Sequence, residues 1–345
     1  MNTEISEILG ELLREPGISG FENDIAQFAA ARLEKYCDKV SINRFRSVTG
    51  WIPSKAEKAK TIVLTAHLDR IGLIVSGVDE NGFVSFDALG GVDARILPAS
   101  EVYILGRERV FGIIGAKPPH LLSKSDSAAA VTPDSMLIDT GMSGDAAKAL
   151  IAPGDPILLR SSYSEMLNGC ITSAALDNRA GMAAVFYCLE DLCGSELPFN
   201  IKVVFTSGEE TGLHGAYTAL GGEPADLAVV VDVTHGTTPD APKVGTFPLG
   251  CGAVICRGPN LHYDITKQIT ALAAKKGIPY ETEVAGGSSG TDAWALQTLR
   301  GGIACALISI PLRYMHTTVE TVQLSDICDT GRLLGEIVRG GVELA

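Results

Sequence analysis

Five carboxylates and two imidazoles stand where this chain leaves an apolar run or enters a helical pattern. The run Thr61–Ala66 (TIVLTA) ends in His67-Leu68-Asp69, and the run from Ile201 (IKVVFTS) passes through Gly208 into Glu209-Glu210. A third run, Leu227–Val231 (LAVVV), ends in Asp232. Asp177 precedes a helical pattern, where a helix N-terminus favours negative charge, and His316 follows the run that closes at Ile310-Pro311. Neutral imidazole and carboxylate together suit borderline divalent cations such as zinc, cobalt or manganese. Each residue alone has a plainer reading: a loop histidine, an N-cap aspartate, a solvated Glu-Glu turn. Their joint placement at strand ends and helix starts of one sheet favours a metal site.

Such residues meet only if the strands lie side by side, because open α/β sheets gather ligands at their carboxyl edge. Continuous apolar runs of this kind are buried parallel strands. The spacing predicts helices after Asp177, over about 263–275, 292–299 and 325–338, with strands at 280–284 and 305–310. Ser19 and Glu22 have the spacing of a capping box, which predicts a helix running to about Tyr36. Between Ile71 and about Ser164 the texture becomes short alternating segments, such as Glu101–Leu105 and Val110–Ile114, separated by Gly, Pro and Asp turns. The predicted architecture is α/β: a mainly parallel sheet flanked by helices, with a small all-β barrel-like domain inserted. Residues 1–70 and 166–345 would form the catalytic domain and 71–165 the insert. Residues 117–130, rich in Pro, Ser and Ala, are expected to form an exposed loop of the insert.

A formal net charge of −13 over 345 residues argues against nucleic-acid binding, which needs a basic surface. No apolar run is long enough to span a bilayer, and the first residues are acidic and amphipathic rather than signal-like. The eight cysteines are scattered without a Cys-x-x-Cys pair and are expected to be buried free thiols. The cytoplasm is the expected compartment.

The chain also resembles the tetrahedral-aminopeptidase family, which includes glutamyl and deblocking aminopeptidases and proteins called cellulase M. The residues that carry the resemblance are Ala66-His67-Leu68-Asp69-Arg70-Ile71-Gly72, Ala175-Leu176-Asp177-Asn178-Arg179-Ala180-Gly181, Thr206–Leu213, Val231–Thr234 and Pro311–His316, in the family's order. The resemblance implies an aminopeptidase with two divalent ions per subunit, zinc or cobalt foremost and manganese as an option. Asp177 would bridge the ions, His67 and Asp232 completing one site and Glu210 and His316 the other. Glu209 would be the general base acting on a water shared by the ions, and Asp69 would orient the site from behind the ligands. Short peptides would be the substrates. Subunits would pair through the insert and assemble as a tetrahedral dodecamer. Arg70 is a departure, standing where the family often has an acid, which alters the local charge.

Two other chemistries fit parts of the sequence. Gly286–Gly290 satisfies the Gly-x-Ser-x-Gly pattern around Ser288, with Asp292 and His316 following in serine-hydrolase order. That reading leaves His67, Asp177, Glu209, Glu210 and Asp232 without a purpose, and Asp292 sits on the helix the elbow itself would start. A glycosidase pair is poorly matched by adjacent Glu209 and Glu210 in a chain with two tryptophans. A non-catalytic oligomeric metal-binding homologue would not need Glu209 beside a complete ligand set. Thr234–Asp240, Leu249–Gly252 and Gly286–Asp292 are the candidate substrate-pocket segments; His235, three residues after Asp232, either lines the cleft or, the favoured reading, sits in a solvated loop.

Overall fold

The computed structural model describes residues 2–344 except 117–118, 122–131, 221 and 223–224. The expected loop over 117–130 therefore lies largely outside the described residues. Two antiparallel strands, β1 (Lys39–Ile42) and β2 (Val48–Ile52), lead into β3 (Thr61–His67), which is buried along its whole length. From there the chain enters β4 (Gly72–Val78), β5 (Val84–Leu89), β6 (Glu101–Leu105), β7 (Arg109–Ile114), β8 (Ile138–Asp139) and β9 (Pro156–Leu159). These six close a barrel in the order β4-β5-β8-β7-β6-β9. Alternation explains it: Val102 and Ile104 on β6, and Val110 and Ile114 on β7, turn inward to a core with Leu73, Phe86 and Ile157.

Past the barrel come β10 (Ser164–Glu165), β11 (Cys170–Ser173), β12 (Asn200–Thr206), β13 (Leu227–His235), β14 (Ala253–Arg257), β15 (Tyr280–Val284), β16 (Ala304–Leu312) and β17 (Glu320–Gln323). The large sheet runs β1-β2-β12-β3-β13-β16-β14-β15, and β10, β11 and β17 form a small sheet. The β12, β3, β13 and β16 block is parallel, whereas β1, β2 and the β14–β16 pair are antiparallel, so the sheet is mixed.

Eight α-helices among the described residues cover it: α1 (Asn2–Arg14), α2 (Asn23–Leu33), α3 (Gly144–Leu150), α4 (Leu176–Leu192), α5 (His214–Leu220), α6 (Tyr263–Lys276), α7 (Asp292–Leu296) and α8 (Leu324–Glu336). Strand parity divides the core. On β13, Leu227, Val229 and Val231 join the cluster under α1, α4 and α8, while Ala228 and Val230 join the cluster under α5 and α7. The fully buried Leu and Ile side chains each contribute about 1.5–3 kcal/mol of transfer free energy.

Ser19 does not cap α2, which begins one residue after Glu22. Its hydroxyl bonds the Thr211 hydroxyl at 2.8 Å, and Glu22 Oε1 instead accepts from the Gly20 and Gly208 amides at 2.7 and 3.1 Å. The capping-box spacing served a tertiary clamp. All eight cysteines are free, with Cys188, Cys256, Cys305 and Cys328 buried but Cys193 exposed.

Candidate metal centre

Adjacent parallel strands deliver the first ligand candidates to one edge. Thr206 pairs with His67 across β12 and β3, and β13 brings Asp232 alongside. His67 Nε2 lies 3.0 Å from Asp177 Oδ1 and 3.7 Å from Asp232 Oδ1. On the other side of the same carboxylate, His316 Nε2 lies 3.4 Å from Asp177 Oδ2 and 3.3 Å from Glu210 Oε2. His67, Asp177 and Asp232 thus form one group, and Asp177, Glu210 and His316 a second, with the ligand atoms of each within 4.8 Å of one another.

Neighbouring groups fix the shared residue. The peptide between Asp177 and Asn178 is cis. Asn178 Nδ2 donates to the Val231 carbonyl at 2.9 Å, and its Oδ1 accepts from the Gly181 amide at 3.0 Å, tying the start of α4 to β13. Buried Glu320 accepts from the Asp177 amide at 3.1 Å and from the His316 amide at 2.8 Å, so one carboxylate aligns a residue from each side of the site. That anchorage holds His316 at φ 61°, a left-handed conformation that a non-glycine residue keeps only when its surroundings demand it. Behind the His316 ring stands Gly91, whose carbonyl is 3.1 Å from Nδ1. A Cβ there would lie 2.5 Å from the same atom, so only glycine fits.

Asp69 is fully buried behind the strand end. Its Oδ1 accepts from the Glu209 amide at 3.0 Å and its Oδ2 from the Glu210 amide at 3.1 Å. The turn carrying both glutamates is therefore oriented by Asp69. Burial, reinforced by Asp232, Asp292 and Asp69 against the pull of His67, pushes the Glu209 carboxyl up to about 10. Burial beside Asp177 raises Glu210 to about 8. Burial alone would lower His67, but the carboxylates of Glu209, Asp177, Asp232 and Asp69 outweigh it and hold the imidazole well above its usual range. A hydrogen bond to Asp177 likewise raises His316 to about 9. Burial would raise Asp177, yet hydrogen bonds from His316 and His67 keep it low.

Acids gathered out of water raise one another's proton affinity, and a bound cation would offset that. Glu210 Oε2 faces His316, and its other oxygen, Oε1, is buried without a hydrogen-bond partner. The donor set, mixed imidazole nitrogen and carboxylate oxygen, matches zinc, cobalt and manganese, and the residues fit a pair of such ions.

Comparison with family models gives a match to the M42 glutamyl aminopeptidase family over residues 47–333. The chain belongs to that family. A lysyl aminopeptidase of Pyrococcus furiosus is 28% identical to this M42 chain over 332 residues, covering 95% of it and 94% of the relative. Among solved structures, the TET aminopeptidase of a Thaumarchaeota archaeon from marine sediment superposes with a TM-score of 0.92 at 28% identity, covering 98% of this chain and 97% of that one. The TET1 peptidase of Pyrococcus horikoshii gives a TM-score of 0.85 at 29% identity, covering 97% and 99%. The M42 chain is a metallo-aminopeptidase, in a family whose members use divalent metal.

The M42 cleft has a volume of about 480 Å³, and Glu209, Thr234, His235, Glu283, Ser289 and Thr291 line it with the two metal-ligand groups. Of the two readings of His235, a cleft residue or a solvated loop, the cleft is where it lies. Leu249–Gly252 is not among its lining residues. Asp326 instead binds that segment by accepting from the Gly250 and Gly252 amides at 2.7 and 2.8 Å. The Ser288 triad is not assembled. Asp292 accepts from the Thr206 hydroxyl, Ser288 Oγ accepts from the Gly290 amide, and the His316 ring faces Asp177, Glu210 and Gly91. Sequence reasoning gave no role to Glu320, Gly91 or Glu283. No local pattern marked Glu320, which opens a short strand buried at Glu320, Thr321 and Val322.

Proposed function

We propose that this M42 chain removes N-terminal residues from short peptides with the help of two divalent cations. His67 and Asp232 would hold one, Glu210 and His316 the other, and Asp177 both. The observation that carries the proposal is the meeting of two ligand groups on the two oxygens of one buried carboxylate. Cations bound there would acidify a water and polarise the scissile carbonyl. Zinc and cobalt are favoured by the donor set, with manganese also accommodated.

Glu209 is the general base in this reading. Its carboxylate takes a proton from the attacking water and returns it to the departing amine. The buried acids around Glu209 raise its proton affinity, and bound cations would bring it back toward neutrality, the range a shuttling base needs. Asp69 holds the peptide that presents Glu209 and is a positioning residue. A site rich in carboxylate also attracts the α-ammonium group that distinguishes a peptide's first residue from its internal ones.

Assembly belongs to the same proposal. The Pyrococcus horikoshii TET1 relative assembles into a tetrahedron or a large octahedral shell. On the barrel of residues 71–165, Phe111 and Ile113 of β7 point outward, each 45% exposed, with Leu137 nearby at 43%. Outward apolar groups on β7 and just before β8 suit subunit pairing leading to a dodecamer. Eight free thiols are consistent with the cytoplasm, and no described helix is long and apolar enough to cross a membrane.

Two variants test the chemistry. Glu209→Gln is expected to keep bound metal, measured by elemental mass spectrometry, and to lose at least 100-fold in kcat. Asp177→Ala is expected to lose the metal itself. A Glu209→Gln enzyme with most of its turnover intact would remove Glu209 from the base role.

A further inference from the structure

Two guanidinium groups lie buried together near Asp69. Arg179 is fully buried, and none of its three side-chain nitrogens has a hydrogen-bond partner. Arg70 is 4% exposed, its Nε is likewise unpartnered, and its side chain makes no hydrogen bond or ion pair among the described residues. The two are close enough to repel each other. Gly17 closes over them: a Cβ there would meet Arg179 Nη2 at 2.7 Å.

Nearby acids relieve the pair only in part: Glu320 and Glu210 attract Arg70, and Asp69, Glu15 and Glu22 attract Arg179, but none forms an ion pair with either. Asp69 is committed to the Glu209 and Glu210 amides, Glu320 to the Asp177 and His316 amides, and Glu22 Oε1 to the Gly20 and Gly208 amides. Glu22 Oε2 and Glu15 attract Arg179 only at a distance, without forming an ion pair with it. Each guanidinium carries five N–H donors in a planar fork, and leaving such a group buried without acceptors is strongly unfavourable.

Arg70 opens onto a cavity of about 490 Å³, bounded by α1, the barrel strands β6, β7 and β9, and the segment leading to β11. Arg14, Arg109 and Arg160 also line it. Arg109 stacks over the Tyr103 ring with Cζ 3.7 Å from its centroid, and Arg160 pairs with Glu101. Glu7 and Glu165 are the acids in the lining, and Glu165 accepts from the Ser6 and Tyr163 hydroxyls. Four arginines thus face two glutamates.

We propose that this cavity is an oxyanion site, in which a dianion of sulfate or phosphate geometry docks on Arg70, with Arg14 beside it, and neutralises the buried Arg70–Arg179 pair. Planar guanidinium forks are suited to the edge of a tetrahedral oxyanion. The place matters for the fold. Arg70 sits where the chain passes from β3 into the barrel, and its backbone bonds Gly17 and Ser19. An anion there would clasp α1, the sheet and the barrel together. The volume exceeds that of a bare sulfate, so the phosphoryl group of a small monoester fits the same chemistry.

The test compares wild type, Arg70→Glu and Arg14→Ala, each loaded with metal, in sulfate up to 10 mM at constant ionic strength. Wild type is expected to show a saturable rise in Tm of roughly 2–3 °C. Arg70→Glu, which sets an acid beside Arg179, is expected to melt higher than wild type without sulfate and to show no response to it. Should that variant fail to fold, Arg14→Ala decides the matter, with an expected loss of at least threefold in sulfate affinity by calorimetry. Selenate located by anomalous diffraction at Arg70 supports the site, whereas selenate found only at the metal cluster overturns it. The absence of a wild-type response, an equal rise with sodium chloride, or an undiminished sulfate response in Arg70→Glu would also overturn it. Phenyl phosphate run in parallel assigns the source: tighter binding than sulfate points to a monoester, weaker binding to the free anion.

Discussion

Asp69→Asn isolates the positioning claim, because the side chain keeps its size and loses only charge and one acceptor. Both carboxylate oxygens are used, at 3.0 Å to the Glu209 amide and 3.1 Å to the Glu210 amide. Hydrogen bonds to a charged acceptor contribute roughly 1.5–3 kcal/mol each. An asparagine retains one such bond in weakened form and turns an N–H toward the other amide, which has nothing else to donate to. The expected loss is roughly 2–4 kcal/mol, concentrated in the turn that carries Glu209 and Glu210. The turn can relieve the clash by shifting, and a displacement near 1 Å costs on the order of 100-fold in rate. We therefore expect kcat/KM on aminoacyl 4-nitroanilides to fall about 100-fold while metal content holds within error and Tm drops by several degrees. An Asp69→Asn enzyme within threefold of wild type and equally thermostable would show that the two amide bonds do not position the glutamates.

Chelation followed by dialysis is expected to abolish activity and added zinc, cobalt or manganese to restore it, while a serine-directed phosphonate leaves it untouched. Inhibition by the phosphonate would revive Ser288. Glu283 lines the cleft with Oε1 held by the Thr234 hydroxyl at 2.9 Å. Glu283→Leu is expected to lower kcat/KM for lysyl and arginyl substrates relative to leucyl ones by about 5- to 30-fold, the equivalent of a partly solvated charge pair. An unchanged ratio would remove Glu283 from substrate selection. Asp326 concerns stability. Burial raises its carboxyl from 3.8 to about 6, despite the Gly250 and Gly252 amides that pull the other way. A raised acid binds its proton more tightly in the folded state, so its contribution is complete below pH ~4 and disappears as pH climbs through ~6. The full effect is at most about 3 kcal/mol. Wild type is expected to lose that much more than Asp326→Asn between pH 4 and 7 in urea melts, and parallel curves would refute the account.

Much of this molecule was readable before any coordinates, and the reasons are physical. A fully buried strand such as Thr61–His67 must be apolar throughout, so the first polar residues after it mark the sheet edge where chemistry can occur. The same logic flagged Asp232, Glu209 and Glu210. The barrel was visible through side-chain alternation in β6 and β7. Less was legible where function depends on a partner far along the chain. Ser19 and Glu22 satisfied a local helix rule, yet their bonds run to Thr211 and Gly208. Glu320 lies 143 residues from Asp177, and no spacing rule joins them. Gly91 resembled any turn glycine until His316 was found against it. The antiparallel approach of β14 to β16 was equally hidden, because strand direction is decided by connections that cross the sheet rather than by the strand's own residues.

The Gly91 carbonyl reaches His316 from the link between β5 and β6, a stretch of the barrel and not of the sheet. A shift of that link would therefore bear directly on the imidazole of a metal-ligand candidate. If neighbouring copies grip one another by that barrel, breaking them apart would slacken the histidine and, through Gly90 next to Gly91, the packing on Glu210. Solitary subunits would then be sluggish for a mechanical reason, and quaternary architecture would serve as a throttle on turnover as well as an enclosure.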